Sequence, residues 1–563
     1  MKRLGAAAFT EMLNLYGVRF FFFMSGGPTS IFSEMSEKAP KIRQVLTHGE
    51  KSAAYMADGY SRASYRPGLC FGQVGPGAAN LAAGIAEPFL ASSPVIAVTG
   101  MRPVEALNKN AYQELEQMRC FDPVTKWNVA IGKASRIPDL VRTAFRVATT
   151  GRPRPVHLSL PADVAAAEFD FPDLVAAPEF SEFPPLRIHP DLRLVAEAFA
   201  LIVKSERPVL VAGGGAIASK AWRAVQKVAE ELSIPVATTL SGKGSIAEDH
   251  PLSIGVPGRY GRKSASAILM QSDLVLYIGC KVGSISSSNW TILAKGTKII
   301  QVDIDAAQIG WNYPVTLGIV ADARLALEGL IRVARTKNTG AEKRKRWVAS
   351  VRAAVSEWRK EAAKLSSSTA VPISVHRVIR ELRDVLRKDD VVVSDTGYAA
   401  AWSATLFDVL KPGRSFYRST GSLGWAFAGS IGVKLALPDK KVVCFTGDGG
   451  FGYHLTELET ASRIGAPVVT VVINNSTLAF ERHDFQYFLG GKGYEASDYL
   501  STNFAKVAEA FSCHGIRVER PSEIRDALLQ SLRAGKPAVV DIKTDPDEIA
   551  PVTDYEKYVP RIV

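Results

Sequence analysis

At 563 residues the chain exceeds what a single hydrophobic core usually supports, so two to four domains are expected. Its composition is that of a soluble globular protein, 47% hydrophobic and 22% charged, and no uninterrupted apolar run approaches the length of a membrane span. The net charge of +12 is not gathered into a nucleic-acid surface: the densest basic stretch, AEKRKRWVASVRAAVSEWRKEAAK (341–364), mixes in glutamates at helical spacing and reads as a solvated helix face.

The chain begins MKRLGAAAFTEMLNLYGV. Its basic start resembles a signal peptide, but Glu11 and Asn14 interrupt the apolar stretch and no cleavage site follows, so an amphipathic helix in a cytoplasmic protein is expected. The five cysteines lie far apart and form no CxxC pair, which fits a reducing compartment and argues against structural zinc. Strands RFFFFM, PGLCFGQ, PVIAVTG and PVHLSL, alternating with helical stretches, make a first α/β block over 1–170. The stretch FDFPDLVAAPEFSEFPPLRIHP (169–190) reads as a linker. A second block over 191–340 carries RPVLVAGGG, IPVATT, DLVLYIG and KIIQVDID. After the charged helix and SSSTAVP, a third block over 373–550 carries DVVVSDTG, KVVCFTGDG, PVVTVVINN and PAVVDI. Short, continuously apolar strands separated by helices predict three doubly wound parallel-sheet domains, with ligands at the carboxyl ends of the strands.

The unusual residues fall at those ends. KVVCFT runs into Gly447-Asp448-Gly449-Gly450, a helix follows and stops at Gly465, and the next strand ends at Asn474 and Asn475. Asp448 and Asn475 are 27 positions apart, which suits strand, helix and parallel strand. A carboxylate, an amide oxygen and a main-chain carbonyl suit Mg²⁺, and glycines let the backbone approach phosphate groups. Taken alone, GDGG equally suits a tight turn with a capping Asp; the joint pattern favours a metal-diphosphate site.

That joint pattern, GDG followed by a helix and NN, resembles the thiamine-diphosphate signature. The resemblance implies that Asp448 and Asn475 hold Mg²⁺ through their side chains and Thr477 through its carbonyl, with Gly447, Gly449 and Gly450 at the diphosphate. QVLTHGEKSAAYMADGYSRAS resembles the HE-x-x-A-x-x-x-A-x-G-x-A-R element of the acetolactate synthase superfamily, which aligns Glu50 with its catalytic glutamate. Such a carboxyl group binds the aminopyrimidine and favours the tautomer that activates the thiazolium carbon. Read without the resemblance, Glu50 is an ordinary first-turn glutamate.

The likeness extends over most of the chain. GQVGPGAANLAAGIAEPFLASSPVIAVTG (72–100) resembles a segment whose Asn80 lines the cofactor. AYQELEQ (111–117) resembles FQE-x-D-Q, placing Gln113 beside the reacting carbon and Tyr112 where many members have Phe. TGSLGWAFAGSIGVKLA (420–436) resembles an element in which Gly421 offers its carbonyl to the aminopyrimidine and Leu423 props the cofactor into a bend. DTGYAAAW puts Gly397 and Tyr398 near the diphosphate, where acetolactate synthases carry Gln-His instead. The three blocks are then pyrimidine-binding, central nucleotide-fold-like and diphosphate-binding domains.

The resemblance implies a thiamine-diphosphate- and Mg²⁺-dependent lyase or transferase that cleaves or joins C–C bonds of a 2-oxo acid without oxidation. The alternatives are a 2-hydroxyacyl-CoA or oxalyl-CoA enzyme and a non-catalytic homologue. NKNAYQELEQM lacks the His-His pair of pyruvate-decarboxylase-like members, which disfavours simple aldehyde release. GCKVGSISSSNW stands where acetolactate synthases carry Arg-Phe-Asp-Asp-Arg, a departure that disfavours both FAD and the biosynthetic activity. GGGA (213–216) suits either a nucleotide pyrophosphate, with CoA or ADP as candidates, or a tight turn. Gly26, Gly27 and the segment LAFERHDFQYF, with Glu481 and His483, are candidate substrate contacts, His483 as an acid-base group. A surface position after the NN strand is the other reading of that segment. Because the family builds each site between two subunits, a homodimer or homotetramer acting on small molecules is expected, without nucleic acid or membrane partners.

Overall fold

The computed structural model of the chain describes residues 2–172 and 174–555. Three six-stranded parallel sheets with flanking helices carry the fold. The first runs Arg43–Leu46, Phe20–Phe23, Gly68–Gly72, Val95–Met101, Val156–Pro161, Asn128–Ala130 from edge to edge. The third runs Phe416–Arg418, Val391–Ser394, Val442–Gly447, Val468–Asn474, Ala538–Lys543, His514–Val518. Counted along the chain, both have the strand order 2-1-3-4-6-5. The central sheet runs Ser253–Gly255, Val236–Thr238, Pro208–Ala212, Leu274–Ile278, Lys298–Asp303, Leu317–Val320, the 3-2-1-4-5-6 order of dinucleotide-binding folds. The inner strands are apolar throughout because both faces are covered: Leu274–Ile278 and Val468–Asn474 are buried at every position.

Strand order reverses beside the first strand of each sheet, opening a crevice at the carboxyl ends there. In the first sheet the loops entering it follow Phe23 and Gly72; in the third they follow Ser394 and Gly447. In the central sheet they follow Ala212 and Ile278.

Several sequence expectations need correction. The strands Asn128–Ala130, Ser253–Gly255, Leu317–Val320, Phe416–Arg418 and His514–Val518 are absent from the sequence reading. The expected linker at 169–190 overlaps a strand, Glu168–Asp170, which pairs antiparallel with Lys2–Leu4. Gly447-Asp448-Gly449-Gly450 is not a free turn: Asp448–Gly452 is a short helix, followed after a break by Glu457–Ile464. That second helix ends, as expected, on Gly465 in the left-handed conformation (φ 66°).

By packing, the chain divides into two compact units. One holds the residues up to Leu186 together with Thr420–Asp439 and His454–Val468; the other holds Arg187–Ser419, Lys440–Tyr453 and the residues from Val469 on. In the first unit, helix Glu50–Ser64 crosses helix Trp425–Ala436 backbone to backbone. A Cβ on Gly59 would lie 2.0 Å from the Gly429 carbonyl, and one on Gly432 would lie 1.9 Å from that of Met56. Gly59→Ala is therefore expected to force the helices apart at a cost of about 1–3 kcal/mol, read as a lowered Tm. Among the described residues no helix is long and apolar enough to cross a membrane.

Candidate active site

In the second unit, Asp448 opens the helix that leaves strand Val442–Gly447 and is only 6% exposed. Its carboxylate accepts the main-chain N–H of Gly449 at 3.0 Å and that of Ser476. Burial pushes the carboxyl up to about 6, against the pull of those amides and of Lys543. On the adjacent strand the two asparagines have different tasks. Asn474 is fully buried and its Nδ2 donates to Asp541 at 2.8 Å and to the Thr502 carbonyl at 2.9 Å. Asn475 is half-buried at the strand end, its Oδ1 accepting the Thr477 N–H at 3.2 Å. The Thr477 loop is tied down by Leu478 N–H to the Ser497 carbonyl and Tyr499 N–H to the Ser476 carbonyl.

Asp395 joins the two crevice loops of this sheet. It accepts Thr446 Oγ1 and its neighbour's N–H, Thr396, each at 2.9 Å. A Cβ on Gly450 would stand 2.6 Å from its Oδ2, so only glycine fits there. By contrast, a Cβ on Gly397 (φ 63°) or Gly447 would meet nothing within 4 Å, which leaves the main chain open to a ligand. Gly449 is covered by Leu478 and Tyr499, and its amide is taken by Asp448.

Tyr398 turns its side chain into the core, where its hydroxyl pairs with His483 Nδ1. His483 is 0% exposed, and burial lowers it to about 4, so it is uncharged at neutral pH. Helix Ala479–Phe488 thus sends His483 inward and leaves Glu481 exposed.

In the first unit, Glu50 begins helix Glu50–Ser64 and is 6% exposed. Asn80 Nδ2 donates to its Oε2 at 3.3 Å. Gly77 makes room for it, since a Cβ there would lie 2.6 Å from Glu50 Oε1. The turn before the helix is held by Thr47 Oγ1, which donates to the Gly49 carbonyl at 2.9 Å, and by His48 N–H, which donates to Glu457 at 3.0 Å. The crevice loops of the first sheet touch: a Cβ on Gly26 (φ 148°) would lie 2.3 Å from Gln73 Oε1, and Gly27 is also left-handed (φ 72°). Gln113 (φ 62°) brings its main chain against Gly75 and accepts Arg102 Nη2 at 3.1 Å through its side chain. Tyr112 beside it is 79% exposed. Gly421 has open space at its Cα, and Leu423 is half-buried.

Residues 3–120 match the N-terminal TPP binding domain of thiamine pyrophosphate enzymes, 195–330 their central domain and 395–542 their C-terminal TPP binding domain. A probable acetolactate synthase large subunit of Methanococcus aeolicus is 35% identical over 559 residues, 96% of this chain and 92% of that protein. The acetolactate synthase large subunit of Corynebacterium glutamicum is 32% identical over 547 residues, 95% and 86% of the two chains. The isozyme 1 large subunit of Escherichia coli K12 is 29% identical over 553 residues, 97% and 94%. The chain belongs to the thiamine pyrophosphate enzymes, in the acetolactate synthase group.

For a thiamine pyrophosphate (thiamine diphosphate) enzyme, the residues present fit the cofactor. Asp448 is a buried carboxylate in want of a positive partner, and its neighbours supply oxygen ligands. A carboxylate, an amide oxygen and a main-chain carbonyl are all oxygen donors, a set that suits a hard cation better than zinc. Gly397 and Gly447 leave backbone accessible at the crevice, where a diphosphate can lie. In the central sheet the crevice glycines face each other: a Cβ on Gly213 would lie 2.2 Å from the Gly279 carbonyl, and one on Gly215 2.7 Å from the Gly279 Cα. Their smallness is used for packing, which is the tight-turn reading of GGGA.

Sequence reasoning missed Asp395, Lys543 and Gln117 in this enzyme. Lys543 Nζ donates to Ser476 Oγ at 2.9 Å, between Asn475 and Thr477. Gln117, 3% exposed, donates to Thr99, the Gly100 carbonyl and Ser159, and accepts the Gly75 N–H at 3.2 Å. It pins the glycine loop beside Glu50 to the strand ends. The second Gln of the quoted AYQELEQ element was the available signal.

Proposed function

We propose that this thiamine-diphosphate enzyme joins carbonyl compounds, taking a 2-oxo acid as donor and releasing its carboxyl group as CO₂. When bound, thiamine diphosphate supplies a nucleophilic carbon and an electron sink. Asp448, Asn475 and the Thr477 carbonyl would hold Mg²⁺, and Gly397, Gly447, Gly449, Gly450 and the main chain of Tyr398 would line the place of the diphosphate. Glu50, 6% exposed, would share a proton with the cofactor's aminopyrimidine, and Asn80 steadies the carboxyl. The Gly421 carbonyl would accept a hydrogen bond from the cofactor, and the Leu423 side chain would support it. Gly26, Gly27, Tyr112 and Gln113 face the substrate. His483, buried and uncharged, holds the Tyr398 hydroxyl.

The observation that carries this reading is that the chain buries two carboxylates in different settings: Asp448 at a strand end among oxygen donors, and Glu50 beside Asn80 in a glycine-lined pocket. The names of the relatives support 2-oxo acid ligation. A homodimer or homotetramer of cytoplasmic location completes the proposal. On helix Pro76–Ala91, Asn80 contacts Glu50, whereas Glu87 contacts the Gly421 loop, seven residues or about 10 Å further along. This spacing supports a site in which a second copy brings its own loop to Glu50.

With Mg²⁺ and thiamine diphosphate, purified protein given pyruvate alone is expected to release one CO₂ for each two pyruvates consumed, with a single five-carbon product. Release of free acetaldehyde in equal measure to CO₂ would remove the ligation reading. Turnover only of 2-hydroxyacyl-CoA or oxalyl-CoA would move the substrate to the thioester class.

A further inference from the structure

Glu87 is a buried carboxylate of the first unit, and nothing in the mechanism above uses it. It lies on helix Pro76–Ala91 and is 0% exposed. Its Oε1 accepts the main-chain N–H of Thr420 at 2.5 Å, and its Oε2 that of Ser422 at 3.1 Å. Arg62, on helix Glu50–Ser64, donates to the same Oε1 at 3.1 Å. The Arg62 guanidinium also sits 4.5 Å from the ring centroid of Trp425, whose Nε1 donates to Asp58 at 3.0 Å. Burial alone would push the Glu87 carboxyl up; Arg62 and the Thr420 and Ser422 amides outweigh it and hold it below the usual range. The carboxylate therefore stays charged and keeps both amides at neutral pH.

Those amides flank Gly421. With the N–H groups of residues 420 and 422 both directed at one fixed carboxylate, the intervening peptide has little freedom to turn, and Leu423 follows immediately. Gly424 (φ 88°) then starts helix Trp425–Ala436. A loop between a strand and a helix would otherwise be free to rotate these peptides. We propose that Glu87 is a positioning residue for the cofactor: it clamps the Thr420–Ser422 main chain so that the Gly421 carbonyl and the Leu423 side chain are presented in one fixed orientation. The inference rests on the reading of Gly421 and Leu423 as cofactor contacts.

The test uses the full-length enzyme. Cofactor-free protein in Mg²⁺ is titrated with thiamine diphosphate, and binding is followed by tryptophan fluorescence; kcat and KM for pyruvate are then measured at saturating cofactor. Glu87→Gln loses the charge and one of the two acceptor oxygens. It is expected to weaken cofactor affinity about tenfold and to lower kcat, with KM for pyruvate unchanged within twofold. Asp58→Asn disturbs the same buried group without touching the 420–422 main chain, so it should lower Tm comparably while changing cofactor affinity much less. Glu87→Asp keeps the charge for Arg62 but is one methylene too short to reach both amides; it should show the same affinity loss and keeps the test decisive where Glu87→Gln does not fold. Leu423→Ala reports on the underlying reading. If Leu423→Ala impairs binding or kcat and the Glu87 variants match the parent, or match Asp58→Asn, the positioning role is overturned. If Leu423→Ala is also silent, the loop does not meet the cofactor and both readings fall together.

Discussion

Glu50→Gln is expected to lower kcat by about 10²–10⁴-fold while leaving thiamine diphosphate affinity within a few-fold of the parent. The amide has the same shape and can still accept from Asn80, so the helix start and the Gly77 pocket should be undisturbed. It cannot share a proton with a ring nitrogen. Initial rates at saturating cofactor, set beside a cofactor titration, separate the two effects. Loss of affinity with undiminished kcat would assign Glu50 to binding instead of proton sharing. An unchanged rate would take the carboxyl out of the mechanism. Glu50→Ala is a poorer probe, because emptying a pocket shaped around that side chain adds a cavity cost to any chemical effect.

What made Glu50 and Asp448 legible is that both occupy strand ends or helix starts next to glycines, positions whose residue types have few packing explanations. The inner strands were legible for a related reason. Covered on both faces, they become apolar runs that no helix of that length would show. The five strands of the six-stranded sheets that escaped notice, Asn128–Ala130, Ser253–Gly255, Leu317–Val320, Phe416–Arg418 and His514–Val518, are all sheet edges. Edge strands are short and covered on fewer sides, so selection for an apolar run is weak; His514–Val518 is fully buried at only its last residue. The supporting residues were hidden for another reason. Glu87 reads as an ordinary helical glutamate, and its partner Thr420 lies 333 positions away. Gln117, Asp395 and Lys543 likewise gain their roles only when loops from separate strands are brought together. The burial of His483 was hidden too: the sequence does not show that the helix carrying it faces it inward onto Tyr398.

Asp448→Asn is expected to act with opposite signs on the empty and the loaded enzyme. In the cofactor-free chain the carboxyl titrates at about 6, against an ordinary value of 3.8. A folded-state pKa raised above the unfolded one means that the native state binds the proton more tightly. Stability therefore falls as pH rises from about 4 to 6, and above that window the full penalty stands, ~3 kcal/mol. Asparagine carries no charge to bury, so the cofactor-free variant should have a higher Tm than the parent at pH 7.5, and the difference should vanish near pH 4. With Mg²⁺ and thiamine diphosphate present the order should invert. The parent gains stability by binding, whereas the variant, missing its anionic ligand, should retain the cofactor at least about 100-fold less tightly and lose turnover with it. A variant that binds cofactor normally, or retention that survives chelation of the metal in the parent, would overturn the site. Mixing then tests how the site is assembled. If Glu50 and Asp448 of one site come from different chains, dissociating and recombining the Glu50→Gln and Asp448→Asn proteins makes hybrids with one doubly altered and one intact site, and random dimers should recover about a quarter of the original activity. A site completed within one chain would recover nothing, since every site would then carry one of the two substitutions.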